Sequence, residues 1–229
     1  MKLRRPPHRW SVSVEQAERL QLKLAADVIV EPYGGSPRFV AGVDAAVLAD
    51  GSACVGGVAV WDAVAARIVE THTSRRRVVF PYVSGLLSFR EAPAVLAALR
   101  KVRAPVQVLL CDGHGQAHPR RFGLACHVGL IADLPSVGCA PRVLAGAHGT
   151  LGEPHGSSAA LRDDAQEIGR LLRTKAGSAG MVVSVGHRVD LASAERIVLG
   201  CVGRHRRPEP TRQARRLVDS IVARSREAG

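Results

Sequence analysis

The chain has 229 residues and a formal net charge of +12, and 46% of its residues are hydrophobic while 23% are charged. This balance is typical of globular proteins and excludes disordered, collagen-like and disulfide-framework classes. Uncharged runs such as residues 78–89 are shorter than the ~18 residues that a membrane-spanning helix requires. We therefore expect one domain over residues 1–229 and a monomer. We also expect a cytoplasmic protein, because the basic N-terminus meets proline before an apolar signal segment can form.

The positive charge is compatible with a phosphate-rich partner such as nucleic acid. Six arginines fall between positions 204 and 216, which predicts a backbone-binding surface or, alternatively, an ordinary solvated face. Composition offers a second explanation, because the chain contains four lysines and no asparagine. A GC-rich genome produces the same bias toward arginine without selection for binding.

The first half of the chain predicts a helix followed by three strands. Ser13 and Gln16 form a capping-box pattern, and apolar residues recur at helical spacing as far as Val28, before Pro32. Short β-rich runs separated by turn-sized gaps then predict an antiparallel meander. Its strands are expected over residues 39–46, 52–61 and 67–73.

The second half alternates between helices and strands, which predicts an α/β fold with a mixed sheet flanked by helices. Residues 146–158 are rich in Gly, His and Ser and predict a surface loop. Helices are expected over 88–102, towards Leu134 and after the capping residue Asp190, with strands over 106–111, 136–140 and 181–185.

The five cysteines lie far apart without a C-x-x-C pair, so we expect small buried core residues rather than a zinc site or disulfides. The carboxylates are more informative. Asp44 and Asp112 interrupt apolar strands, and Glu91 lies near the start of a helix. Burying an ionised carboxylate is costly unless a cation or a donor compensates it, so the three residues predict a metal site. For any one carboxylate taken alone the favoured explanation is structural, with Asp112 capping the Gly-rich turn or Asp44 pairing with an arginine.

Ligands that offer only oxygen suit Mg²⁺, or Mn²⁺, rather than zinc. This chemistry points to phosphoryl transfer, and longer motifs support the same conclusion. The sequence strongly resembles the endonuclease V family over nearly its whole length. The resemblance is carried by Val40-Ala41-Gly42-Val43-Asp44, by residues 81–91, by residues 112–123, by Ser184-Val185-Gly186-His187 and by Pro208-Glu209-Pro210-Thr211-Arg212.

The resemblance implies a ribonuclease H-like fold and a Mg²⁺- or Mn²⁺-dependent endonuclease. Such an enzyme nicks DNA, and in some members RNA, at the second phosphodiester 3′ to a deaminated adenine (inosine), in DNA repair. Asp44, Glu91 and Asp112 would then be the catalytic, metal-binding carboxylates. Metal ions would polarise the scissile phosphate and acidify an attacking water.

The resemblance also implies how the lesion is bound. Tyr82 corresponds to the aromatic residue of the family's wedge, which stacks where the extruded base was. A base pocket is implied at Gly85, Leu87, Gly113, Gly115, Ala140 and Leu144. Backbone N–H groups in such a pocket donate to the O6 of hypoxanthine, whereas adenine presents an amino donor. Tyr82 on a proline turn, and glycines that merely permit a tight turn, are the alternative explanations.

Three positions depart from the family pattern. Pro141 followed by Arg142 replaces a lysine, Arg215 replaces a His or Asp, and the wedge reads Pro-Tyr-Val-Ser rather than Pro-Tyr-Ile-Pro. Arg215 cannot ligate a cation and would repel one. We therefore expect a slow enzyme that favours Mn²⁺, with Arg142 contacting the phosphate in place of the lysine.

Two other functions remain open. One is a lesion-binding homologue with weak or no cleavage, and the other is a structural protein in which the acidic residues form salt bridges. His118, His127 and His187 are expected to make structural hydrogen bonds.

Overall fold

The computed structural model describes residues 1–227. Within them the first half of the chain forms α1 (Val14–Ala25), β1 (Phe39–Val47), β2 (Ala53–Asp62), β3 (Arg67–Arg77), α2 (Leu87–Leu99), β4 (Val108–Cys111) and α3 (Leu124–Ala132). The second half forms β5 (Ser136–Ala140), β6 (Ala147–His148), β7 (Ser158–Asp163), β8 (Gln166–Leu172), β9 (Met181–His187), α4 (Leu191–Gly200) and α5 (Glu209–Glu227). All nine of these strands belong to a single sheet with the order β3-β2-β1-β4-β5-β9-β8-β7-β6.

The predicted mixed sheet is confirmed. Strands β1, β2 and β3 form the expected antiparallel meander. On the other side of β1, strands β4 and β5 pair in parallel, and β9 returns antiparallel to β5. The carboxyl ends of β1, β4 and β5 therefore lie at one edge of the sheet, where α/β proteins place their ligands.

Helix α5 lies unusually close to β1 and β2. A Cβ atom at Gly42 would lie 2.0 Å from the carbonyl carbon of Pro210, and one at Gly57 would lie 2.7 Å from Cγ2 of Val218. The contact with backbone excludes any side chain at Gly42, and a side chain at Gly57 would force Val218 to move. The glycines thus let α5 approach the strands, and this approach determines which α5 side chains reach the candidate site.

The first helix begins at the predicted capping box but ends earlier than the apolar spacing predicts. Ser13 accepts from the amide of Gln16, and the helix ends at Ala25 rather than continuing to Val28. Residues 28–30 are β-branched, which restricts their side chains in a helix. The amide of Ile29 donates instead to Nδ1 of His187 at 3.3 Å, so a tertiary hydrogen bond replaces a helical one.

The sequence patterns did not predict α5 or the β7–β8 hairpin. Helix α5 buries Ala214, Val218 and Val222 at four-residue spacing, but arginines at intervening positions hide that stripe in the sequence. The predicted loop at 146–158 contains the two-residue strand β6 and ends at the first residue of β7. All five cysteines are buried and free, as predicted. Among the helices of residues 1–227, none combines the length and apolar character needed to cross a membrane.

Candidate active site

Asp44 and Asp112 lie side by side on neighbouring parallel strands. Val43 of β1 is in register with Cys111 of β4, and the amide of Asp112 donates to the carbonyl of Val43 at 2.9 Å. Asp44 and Asp112, which follow Val43 and Cys111, therefore lie at the same level, about 5 Å apart across the sheet. Register thus brings together two carboxylates that are 68 positions apart in the sequence, by the difference of their residue numbers.

Burial makes this pair electrostatically costly. Asp44 is only 3% exposed, and burial together with the charge of Asp112 raises its pKa to about 7. Its Oδ1 accepts from the amide of Ala45 at 2.8 Å, but its buried Oδ2 has no hydrogen-bond partner. Burial also raises the pKa of Asp112. The arrangement favours a cation between the carboxylates.

Glu91 belongs to the same electrostatic group. It lies one turn inside α2, is half-buried and lines the same pocket as Asp112. Burial, followed by the charges of Asp44 and Asp112, raises its pKa to about 8. The structure therefore brings the three predicted carboxylates within electrostatic reach of one another.

Two arginines lie among these carboxylates. Arg207 donates to Oδ2 of Asp112. Arg215, on α5, places its Nε 3.6 Å from Oδ2 of Asp44 and its Nη1 3.9 Å from Oδ2 of Asp112. Because α5 approaches β1 closely, one guanidinium group spans both strands. Its positive charge partly offsets the repulsion between the two buried carboxylates.

Within residues 1–227, no three His, Cys, Asp or Glu side chains are close enough to form a ready-made metal site. The donor chemistry nevertheless fits a divalent cation. The buried Oδ2 of Asp44 lacks a partner, and Asp112 and Glu91 add carboxylate oxygens whose pKa values are raised chiefly by burial. Oxygen donors of this kind are those that Mg²⁺ and Mn²⁺ prefer.

A pocket of about 230 Å³ opens directly beside Glu91 and Asp112. Predicted site residues contribute much of its wall, and the wall also includes residues for which the sequence predicted no role in the site, such as His114. The predicted residues in the lining are Tyr82, Gly85, Leu87, Gly113, Arg142 and Leu144. The size and mixed polarity suit a small planar ligand better than an extended one.

Tyr82 projects from the rim of this pocket. The segment 80–86 is here called the wedge loop. Its first residue, Phe80, is 1% exposed, whereas Tyr82 is 71% exposed and its ring centroid lies 6.0 Å from the guanidinium carbon of Arg90. The loop is therefore anchored at one end and presents an aromatic ring to solvent, which is the arrangement that a stacking residue requires.

Two predicted pocket residues lie behind the lining instead. Gly115 is buried, and a Cβ there would lie 2.0 Å from the carbonyl oxygen of Val185, so this glycine serves the packing of its loop on β9. Its amide donates to Oγ of Ser184 at 2.9 Å. Ala140 is 1% exposed and packs in an apolar cluster with Ala117, Leu161, Ile168 and Val182.

The arginines near the pocket differ in availability. Arg121 pairs with Asp163 at 2.7 Å, and Arg120 pairs with Glu18 at 3.1 Å. Pro141 and Arg142 are exposed, and the backbone carbonyl of Arg142 is hydrogen-bonded to Nε2 of His114 at 2.9 Å. Of these three arginines, Arg142 is the one whose side chain makes no ion pair with any described residue. It can therefore reach a ligand without breaking an existing contact.

Sequence reasoning identified the arginine cluster at 204–216 but not the particular contacts that Arg206 and Arg207 make. Arg206 donates to the carbonyl oxygens of Pro141 at 3.0 Å and Gly180 at 2.5 Å, which holds the preceding loop in place. Sequence spacing offers no signal for these contacts because they join segments 65 and 26 residues apart.

The raised pKa of Glu91 predicts how stability depends on pH. The folded state binds the proton of Glu91 more tightly than the unfolded chain does, because the pKa of this carboxyl in the unfolded chain is the ordinary 4.5. The resulting stabilisation is present below pH 4.5 and is lost as pH rises through about 8. In EDTA at pH 9, Glu91→Gln should therefore be more stable than the parent by on the order of 1 kcal/mol. Denaturant unfolding at pH 5.5 and 9 measures this difference.

The exposed Glu153 provides the matched control. Glu153→Gln should leave the pH dependence of unfolding as it is in the parent. Identical pH profiles for Glu91→Gln and the parent protein would contradict the electrostatic grouping of the three carboxylates.

Comparison with known proteins places this chain in a family. The Endonuclease V family model matches residues 22–216. The chain is 46% identical to endonuclease V of Roseiflexus castenholzii over 207 residues, covering 90% of this chain and 92% of that one. The crystal structure of endonuclease V from Streptomyces avermitilis has a TM-score of 0.89 and 41% identity, and the match covers 94% of this chain and 96% of that one.

A more distant structure shares the fold. Endonuclease V from Ciona intestinalis, in complex with a 23mer DNA containing an inosine, has a TM-score of 0.79 and 22% identity, with 93% of this chain and 99% of that one covered. The predicted ribonuclease H-like fold is thus confirmed. Together with the family match over most of its length, the close relatives show that this chain belongs to the endonuclease V family.

Proposed function

We propose that the protein is a Mg²⁺-dependent endonuclease, also able to use Mn²⁺, that nicks inosine-containing DNA in DNA repair. RNA is the alternative polymer, and the proposed cut is the second phosphodiester 3′ to the inosine. The observation that carries the proposal is the position of the carboxylates. Glu91 and Asp112 line the wall of a base-sized pocket, and Asp44 stands at the level of Asp112 on the next strand.

Asp44, Glu91 and Asp112 would hold the metal through carboxylate oxygens. A bound divalent ion supplies Lewis-acid polarisation of a phosphate and lowers the pKa of water. The protein contributes fixed positions for the three oxygen donors. Arg142, an exposed residue in the lining of the same pocket, would hold a phosphate oxygen through its guanidinium group.

Recognition would use the pocket beside these carboxylates. An extruded hypoxanthine presents O6 as an acceptor, whereas adenine presents a donor at the same position. Gly85 and Gly113 bring backbone into the wall, where N–H groups can donate to O6. Tyr82 would stack in the gap that the base leaves, which offsets part of the cost of extrusion.

The arginine contacts favour a second candidate, a lesion-binding homologue that cuts slowly or not at all. Arg207 and Arg215 already lie against one oxygen of Asp112, Oδ2, that a metal would need, and Arg215 also approaches Asp44. A nicking assay combined with a binding assay separates the candidates. Binding of inosine-containing oligonucleotides without nicking in either Mg²⁺ or Mn²⁺ would support the second candidate.

Removal of one carboxylate tests the catalytic assignment. Asp112→Ala should abolish nicking of a deoxyinosine oligonucleotide in Mg²⁺, because it deletes a central oxygen donor. A denaturing gel measures the nicked product, and circular dichroism checks the fold. Asp50→Ala removes an exposed turn carboxylate and should nick at the parental rate. Parental nicking by Asp112→Ala, or nicking that resists EDTA, would contradict the metal mechanism.

Tyr82 tests base extrusion. In EDTA, Tyr82→Ala should weaken binding of an inosine-containing oligonucleotide by ~1–3 kcal/mol, the usual contribution of a base–aromatic stack. Binding of an otherwise identical adenine oligonucleotide should change less. Fluorescence anisotropy at physiological salt gives both dissociation constants. If the parent protein binds the two oligonucleotides equally, recognition through this pocket is wrong.

Arg142 tests which group holds the phosphate. Arg142→Ala should lower the single-turnover cleavage rate by about tenfold to a hundredfold, more than it weakens lesion binding, because the contact matters most in the transition state. Adding Pro141→Lys should restore part of that rate. Arg121→Ala is the matched control, since Arg121 is engaged by Asp163. A silent Arg142→Ala in a protein that cuts well would remove this assignment.

A further inference from the structure

Three side chains converge on a single backbone oxygen of the wedge loop. The carbonyl oxygen of Gly85 accepts from Nε2 of Gln21 at 2.9 Å and from Nη2 of Arg120 at 3.3 Å, and it lies 2.7 Å from Nε2 of His118. On the other side of the same peptide, the amide of Leu86 donates to the carbonyl of Val83 at 3.0 Å. Both polar groups of this peptide are therefore held in place.

Gln21 is the centre of this arrangement. It lies on α1, is fully buried, and precedes the residues matched by the family model by one position. Its Nε2 also donates to the carbonyl of Phe122 at 2.9 Å, and its Oε1 accepts from Nε of Arg120 at 2.6 Å. One buried amide thus joins α1, the wedge loop and the loop before α3. A buried amide is stable only when its donors and acceptor are used in this way.

His118 contributes as a neutral donor. The amide of Arg120 donates to its Nδ1 at 3.1 Å, so the proton of the neutral ring is on Nε2 and is directed at Gly85. Burial lowers the pKa of His118 to about 4, which keeps this form at physiological pH. Gly85 itself has φ +77°, and a Cβ there would lie 2.9 Å from Nη2 of Arg120. The glycine both permits the turn and leaves room for the guanidinium.

We propose that Gln21, His118 and Arg120 form a latch that fixes the wedge loop for insertion into nucleic acid. The proposal rests on the proposed function and makes Gln21 a positioning residue for lesion recognition. The exposed Tyr82 must displace a stacked base, which costs a few kcal/mol. A loop free to bend would yield instead of displacing the base. The hydrogen bond from Gln21 to Gly85 attaches the loop to α1, so that the folded core resists bending of the loop while Tyr82 displaces the base.

Two substitutions remove the latch in different ways. Gln21→Met removes all three polar contacts at nearly constant volume. Gln21→Glu keeps an acceptor for Arg120 but loses both donated hydrogen bonds. In each variant, hydrogen exchange of the Leu86 amide in the free protein should become about tenfold faster, since a buried hydrogen bond to Gly85 is lost.

A second measurement concerns the lesion. In EDTA, the ratio of dissociation constants for adenine and inosine oligonucleotides should fall about tenfold in both variants. The fluorescence of 2-aminopurine placed next to the inosine should rise less on binding, because extrusion is less complete. The cleavage rate at saturating substrate should change little, so the loss appears mainly in KM.

Two controls separate the latch from general stability. Leu24→Ala removes buried packing from the same helix without touching Gly85, and Glu18→Gln alters only the outer partner of Arg120. Neither should change exchange at Leu86. Unchanged exchange in both folded Gln21 variants, or equally fast exchange in Leu24→Ala, would overturn the latch. If the parent protein shows no preference for inosine, the proposed function fails, while the exchange measurement still decides the latch.

Discussion

The repulsion between Asp44 and Asp112 is the constraint on which the rest of the site depends. Parallel pairing of β1 with β4 forces the two carboxylates to the same level, and burial raises the pKa of both. Charges this close in a dry environment need a compensating cation. The site therefore requires positive charge, which Arg207 and Arg215 supply in this structure and a bound metal would supply in the proposed function.

Two glycines next to Asp44 determine how a compensating charge reaches it: Gly42 lies two residues before it on β1, and Gly57 is its register partner on β2. Because Gly42 and Gly57 have no side chains, α5 can lie directly on β1 and β2, and Arg215 then spans both carboxylates. A bulkier residue at either glycine would push the helix away and leave Asp44 without a nearby cation. Close packing of α5 on the sheet thus also affects the electrostatics of the site, because the distance between Arg215 and the carboxylates determines the strength of their attraction.

The sequence predicted the features that local patterns encode and missed those that depend on distant contacts. The meander, the capping box at Ser13 and the three acidic positions were readable because periodicity, turns and motifs carry them. Helix α5 was not, because its arginines obscure the apolar stripe. Arg207 donates to Asp112, and Gly115 and Ala140 lie behind the pocket wall instead of lining it. These positions depend on packing between segments that are distant in the sequence. No spacing rule contains that information.

The pocket proposed for base recognition shares two residues with the candidate metal site. Glu91 and Asp112 line the pocket proposed for the extruded base, so in the proposed function the base and the reacting phosphate would occupy one continuous cleft. A short path between them would restrict the proposed cleavage to a phosphodiester near the lesion, because a distant one could not reach the carboxylates while the base is bound. Rigidity of both walls is then essential. On one side the parallel strands provide it, and on the other the wedge loop has no strand and depends on hydrogen bonds to Gly85.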